Sequence, residues 1–130
     1  MLSNYKYFLL ALCMWREARG EGTDGMKAVG CVIRNNIKNK VADFSWIDIL
    51  LHPFFISSLT AINDPEERKW PLYEDVQWAI CLDLALGIIS GSIEDITNGA
   101  THYFATSISK PEWAKDMALC FKQGHHEFYK

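Results

Sequence analysis

Neither a Cys-x-x-Cys pair nor a His-x-x-x-His pair occurs in the sequence, so the spacings of structural zinc sites and of dithiol redox motifs are both missing. The four cysteines, Cys13, Cys31, Cys81 and Cys120, lie far apart, and the first three sit in apolar runs. Free cysteine packs there as a small hydrophobe, which favours a core role over disulfides and folding in a reducing compartment. With only 8 Gly and 4 Pro, evenly spread, the chain is neither collagen-like nor of low complexity. Positive charge is not in excess: 13 Lys and Arg against 16 Asp and Glu leave a net charge of -3. A dedicated nucleic-acid binder would show a basic stripe instead, so nucleic acid is not an expected partner. No run reaches the ~20 apolar residues that cross a bilayer. The apolar stretch from Tyr7 to Trp15 passes into Arg16-Glu17-Ala18-Arg19 rather than a small-residue cleavage site. It reads as a helix buried on all sides, not as a membrane span or an export signal, and implies synthesis in the cytoplasm without a signal peptide.

What is present suits a soluble domain: 130 residues, of which 49% are hydrophobic and 22% charged. The expectation is one domain over residues 1–130, of α+β class and predominantly α-helical, acting as a monomer. Ser3 can cap a first helix over about 4–19, stopped by Gly20, and Thr23 or Asp24 a second whose apolar positions Met26, Val29, Val32, Ile33 and Ile37 share a face. A short helix follows Phe44-Ser45-Trp46 and is broken at Pro53; residues 66–73 are charged surface. A third long helix spans about 74–90, with Val76, Ile80, Leu84 and Ile88 as its inward stripe, broadened by Ala79 and Leu86, and Gly91 at its end. Thr101–Phe104 reads as a short strand, Pro111–Leu119 as a further helix, and His126–Tyr129 as a second strand that can pair with the first.

Two clusters can carry chemistry. In Arg16-Glu17-Ala18-Arg19-Gly20-Glu21 the first glutamate ends a buried helix. The negative end of the helix dipole and the apolar neighbours Met14 and Trp15 raise its pKa, as a general acid near neutrality requires. Arg16 and Arg19 act oppositely if they pair with it, and on spacing alone Glu17 and Glu21 also fit a solvated, arginine-paired face. The second cluster is His102, Tyr103, His125, His126 and Tyr129. Such rings can line a sugar-binding cleft or stand as structural histidines, and His102, His126 and a carboxylate also make a conceivable metal set. His125 and His126 alternate along a strand, so at most one of them faces a given site.

The order and spacing of Glu17-Ala18-Arg19-Gly20-Glu21, then Gly25, Ala28-Val29, Val32-Ile33 and Asn35, resemble the cell-wall hydrolases related to the spore-cortex-lytic enzyme SleB, which include phage lysis proteins. Leu51-His52-Pro53, Ser57 and Asp64-Pro65 match more loosely, and Gly99-Ala100-Thr101-His102-Tyr103, Trp113-Ala114, Gly124, His126 and Phe128-Tyr129 complete the resemblance. It implies a lysozyme-like domain with a two- or three-stranded sheet, acting without a cofactor or metal on peptidoglycan glycan strands, between N-acetylmuramic acid and N-acetylglucosamine. It places the catalytic acid on Glu17 and substrate contacts on Tyr103, His126, His102, Tyr129 and Glu21. The chain departs from the family at Phe55-Ile56-Ser57, where Gln-Phe-Ser is usual, at Asn36, where Arg is usual, and at Phe104-Ala105. A single carboxylate acting as acid and then base fits lytic transglycosylation; hydrolysis more comfortably uses a second one. Two rival functions are a metal-dependent amidase or peptidase built on His102 and His126, and a glycan-binding module that does not cut.

Overall fold

The computed structural model describes residues 2–39, 45–52 and 56–130, with side chains from residue 4 onward in the first stretch. The Ser3 side chain, Phe44, Pro53 and Phe55 therefore lie outside the described residues.

Every residue from Leu10 to Trp15 is buried, so this stretch of the first helix, α1 (Leu2–Ala18), runs through the core apolar on all sides, while Tyr5 and Phe8 nearer its start are exposed. A single 3-10 turn, Arg19–Glu21, links it to α2 (Gly22–Asn39). The break falls at Gly22, whose φ of 78° suits a residue without Cβ, rather than at Gly20, and α2 starts there without waiting for Thr23 or Asp24. Two short helices follow, α3 (Trp46–Leu50), closed by a Ser45–Asp48 capping box, and α4 (Ser57–Thr60). A 3-10 turn over Pro65–Arg68 then leads to α5 (Val76–Ser90).

Asp75 caps α5 by accepting from the backbone N–H of Gln77 and Trp78, and its other oxygen accepts from Trp15 Nε1 at 2.9 Å. That bond fixes the rotation of α5 against α1. The buried face is Cys81, Leu84, Ala85 and Ile88, whereas Val76 and Leu86 are exposed. Of the stripe expected from spacing, Leu84 and Ile88 are buried and Ile80 packs against the core, but Val76, Ala79 and Leu86 face outward, and Trp78, Cys81 and Ala85 complete the inward face. At Gly30 the helices come so close that a Cβ would run into Ile88 and Met14. Cys13, Cys31 and Cys81 are buried free thiols, as expected from their apolar surroundings.

The C-terminal third forms an antiparallel sheet in the order β1-β3-β2, from β1 (His102–Ala105), β2 (Leu119–Gln123) and β3 (His126–Tyr129). The expected helix after Pro111 is a 3-10 turn, Glu112–Asp116, and Leu119 opens a strand instead. In the β1–β3 register Tyr103 faces Phe128 and Ala105 faces His126, while His102 faces Tyr129. Strand alternation therefore puts Tyr103, His126 and Phe128 on one face and His102, Phe104 and Tyr129 on the other.

The sheet is tied to α2 through two asparagines. Asn35 Nδ2 donates to Asp95 Oδ2 at 3.0 Å and to the Ala100 carbonyl at 2.9 Å. Asn36 Nδ2 donates to the Thr101 carbonyl at 2.8 Å. They anchor the segment entering β1, and so place Tyr103.

Candidate active site

Glu17, on the last turn of α1, opens into a cavity of about 490 Å³ whose lining includes Ser57, Tyr103, His102, Trp113 and His126. The site forms where the buried stretch of α1, residues 10–16, comes out of the core at Glu17, beneath β1 and β3. Glu17 is half-buried. Ser58 Oγ donates to its Oε1 at 3.2 Å, and the Tyr103 hydroxyl hydrogen-bonds to the same carboxyl group.

Burial raises the Glu17 pKa; the bonds from Ser58 and Tyr103 oppose that rise without cancelling it, and the negative charges of Asp64 and Glu66 add to it. Neither neighbouring arginine neutralises it. Arg19 pairs with Glu66 at 2.9 Å and lies over the Trp15 ring, and Arg16 donates to the carbonyls of Ser58 and Lys69. The solvated, arginine-paired arrangement is thus not the one observed. Burial, reinforced by the Glu17 charge, also pushes the Tyr103 hydroxyl well above its ordinary value, so it remains a donor.

His126 is 5% exposed, meets the Tyr103 ring edge-on at 5.5 Å, and has a buried Nδ1 without a protein partner. Burial lowers its pKa and keeps it neutral near pH 7. His102 lines the cavity from the other face of β1, its ring 5.1 Å from that of Trp113. His102 and His126 both line the cavity but leave the sheet on opposite faces. Among the described residues no group of three His, Cys, Asp or Glu could hold a metal ion.

Two expected contacts fall elsewhere. Tyr129 packs behind the sheet, stacked on Phe104 at 5.8 Å with its hydroxyl donating to Glu127. Glu21 faces the β2–β3 turn, where its Oε2 accepts from the His125 N–H at 2.9 Å and its Oε1 lies 3.1 Å from His125 Nδ1. This clasp holds the turn before the strand bearing His126 to the 3-10 turn that follows α1. Gly124, with φ 55°, makes room for it: a Cβ there would run into the Glu21 carboxylate. Gly124→Ala is expected to lower stability by about 1–2 kcal/mol, from the left-handed backbone alone, with a matching fall in thermal midpoint.

Ser58 was not legible as a site residue. Its segment, between Pro53 and Asp64, lacks periodicity, and the adjacent Ser57 carries the family resemblance. Ser57 lines the cavity and donates to Asp64 Oδ2 at 2.6 Å.

The sequence profile of the Cell Wall Hydrolase family matches residues 20–129. The chain belongs to the cell-wall hydrolase family. The matched span starts just after Glu17. The structure is similar to the crystal structure of the catalytic domain of Bacillus cereus SleB, with a TM-score of 0.74 and 23% identity over 96% of this chain and 89% of that one. It is equally similar to the catalytic domain of the germination-specific lytic transglycosylase SleB from Bacillus anthracis, with a TM-score of 0.74 and 22% identity over 96% of this chain and 93% of that one. No curated protein matches the sequence. This cell-wall hydrolase therefore has the lysozyme-like, mostly helical fold with a small sheet that the resemblance implies. Among its described residues no helix is long and apolar enough to cross a membrane.

Proposed function

We propose that the protein cleaves peptidoglycan glycan strands between N-acetylmuramic acid and N-acetylglucosamine as a lytic transglycosylase, with Glu17 as acid and then base. The observation that carries the reading is that Glu17 is the one carboxylate among the described residues lining the cavity, and its pKa is raised. In its neutral form Glu17 donates its proton to the glycosidic oxygen as the bond to the muramic carbon breaks. Positive charge grows on that carbon, within reach of the sugar's own acetamido oxygen. The muramic 6-hydroxyl then attacks the carbon, Glu17 takes the hydroxyl proton, and the product is an anhydro sugar. Ser58 and Tyr103 hold the carboxyl group through both transfers, and the half-open cavity with His102, Trp113 and His126 on its walls suits a polymer of rings.

Hydrolysis would call for a second carboxylate placed to activate water or attack carbon. Asp64, whose charge acts on Glu17 though it does not line the cavity, is occupied by Ser57 Oγ and by the Glu66 N–H at 2.9 Å. The B. anthracis relative is a lytic transglycosylase, which supports the same choice. Digestion of purified sacculi followed by mass spectrometry tests the proposal. Anhydro-muramic ends are expected; reducing muramic ends as the main product would instead make water the nucleophile.

A further inference from the structure

We propose that Arg16 is a positioning residue for Glu17, holding the acid in place through the Ser58 peptide. The inference rests on the reading of Glu17 as the acid. Arg16 is 5% exposed, and no carboxylate lies within ion-pair distance of it among the described residues. A buried cation is costly unless its donors are met, and an aliphatic residue would fill the same volume more cheaply. Arg16 has a buried Nη2 without a hydrogen-bond partner among the described residues, and its other donors grip backbone. Its Nη1 donates to the Ser58 carbonyl at 2.7 Å, its Nε to the Lys69 carbonyl at 3.0 Å, and its guanidinium carbon lies 4.7 Å from the centre of the Trp70 ring.

Ser58 is thus held at both ends by consecutive residues of α1: Arg16 binds its carbonyl, and its hydroxyl binds Glu17. Ser58 itself is 1% exposed, so it cannot swing to solvent. The planar guanidinium fixes two carbonyls in one geometry, which a lysine ammonium does not. Other charged or titratable groups around Glu17 are Cys13 and Arg19 on α1, Asp64 and Glu66 beyond α4, Tyr103 on β1 and His126 on β3. None of them touches the Ser58 carbonyl. Arg34 supplies the contrast. It is equally buried, donates to the carbonyls of Ile88 and Ile93 at 3.1 and 2.6 Å, and has no link to Glu17.

The test compares Arg16→Lys, Arg34→Lys, Ser58→Ala and the Arg16→Lys/Ser58→Ala pair, with Glu17→Gln as reference, on purified peptidoglycan. Arg16→Lys should lower kcat about 10-fold with KM within about twofold, since misplacement of a reacting group acts on the chemical step. The alkaline limb of its pH profile should move upward, because the Ser58 bond that favours the Glu17 carboxylate is weakened. Arg34→Lys should melt earlier yet keep the wild-type profile. Ser58→Ala should cost less in the Arg16→Lys background than alone, as coupled residues do. Should Arg16→Lys fail to fold, Trp70→Ala removes the 60% exposed ring over the guanidinium and should lower kcat about threefold, in line with a surface cation–π contact. A wild-type kcat and pH limb in the folded Arg16→Lys protein (or in Trp70→Ala where it stands in), or full additivity of the pair, with Glu17→Gln inactive, overturns the role of Arg16 and leaves the acid. Activity in Glu17→Gln overturns both.

Discussion

Glu17→Gln is expected to lower the turnover of peptidoglycan about 10²- to 10⁴-fold, the usual contribution of a positioned proton donor, while leaving the protein folded and more stable than the wild type near neutral pH. Both effects have one origin. Burial holds the Glu17 carboxyl above its ordinary pKa, so the folded protein favours the neutral acid. That preference is what an acid catalyst needs, and it is a cost once the group ionises. Below the ordinary glutamate range the side chain is protonated in both folded and unfolded chains, and glutamine gains nothing. Above the folded-state pKa the wild type bears a half-buried anion that it would rather expose, and glutamine escapes that cost. The thermal midpoint of the variant should therefore match that of the wild type in acid and exceed it increasingly toward neutrality. The amide oxygen of glutamine can still accept from Ser58 and Tyr103, so the shape of the site persists. Near-wild-type turnover, or a stability difference that ignores pH, would remove Glu17 from the chemistry.

The same site marks the boundary of what the residues alone disclosed. α1 and its terminal glutamate were legible because a run without polar residues has one stable place, the interior, and its first charged residues must mark where it surfaces. His126–Tyr129 was legible as a strand because Gly124 announces a turn before it. The face of α5 was legible only in part: Leu84 and Ile88 point inward as their spacing implies, but Val76, Leu86 and Cys81 are equally apolar, and the Trp15–Asp75 bond helps choose among them. β2 escaped because Cys120 and Phe121 become strand residues only by pairing with β3, a non-local event without a local signal. Ser58 escaped for the same reason: its partner lies 41 positions away. The departure at Asn36 has a plain account in the structure, since its amide reaches the Thr101 carbonyl and steadies the entry to β1.

That entry is where the largest stability effect is expected. Asp95→Ala should lower folding free energy by about 3 kcal/mol, the scale of losing charge-assisted hydrogen bonds while leaving donors without partners. The Asp95 carboxylate accepts from Thr97 N at 2.8 Å, Thr97 Oγ1 at 2.6 Å, Gly99 N at 2.8 Å and Asn35 Nδ2 at 3.0 Å. Thr97 is fully buried and Asn35 is 8% exposed, so solvent cannot readily replace what is lost. Partial burial alone would raise the Asp95 pKa, but the bonds from Thr97, Asn35 and Gly99 outweigh it and hold the pKa below the ordinary aspartate value. Its stabilisation is therefore complete above the unfolded aspartate range and fades as pH falls through the lower, folded-state value. Denaturant melts of the two proteins should differ fully near neutrality and converge in strong acid. Activity should fall with the same substitution, because the 95–101 segment delivers Tyr103 to Glu17. A gap that stays constant from neutral to acid pH would mean that the carboxylate does not act as this network requires, and that β1 is held by the two asparagines alone.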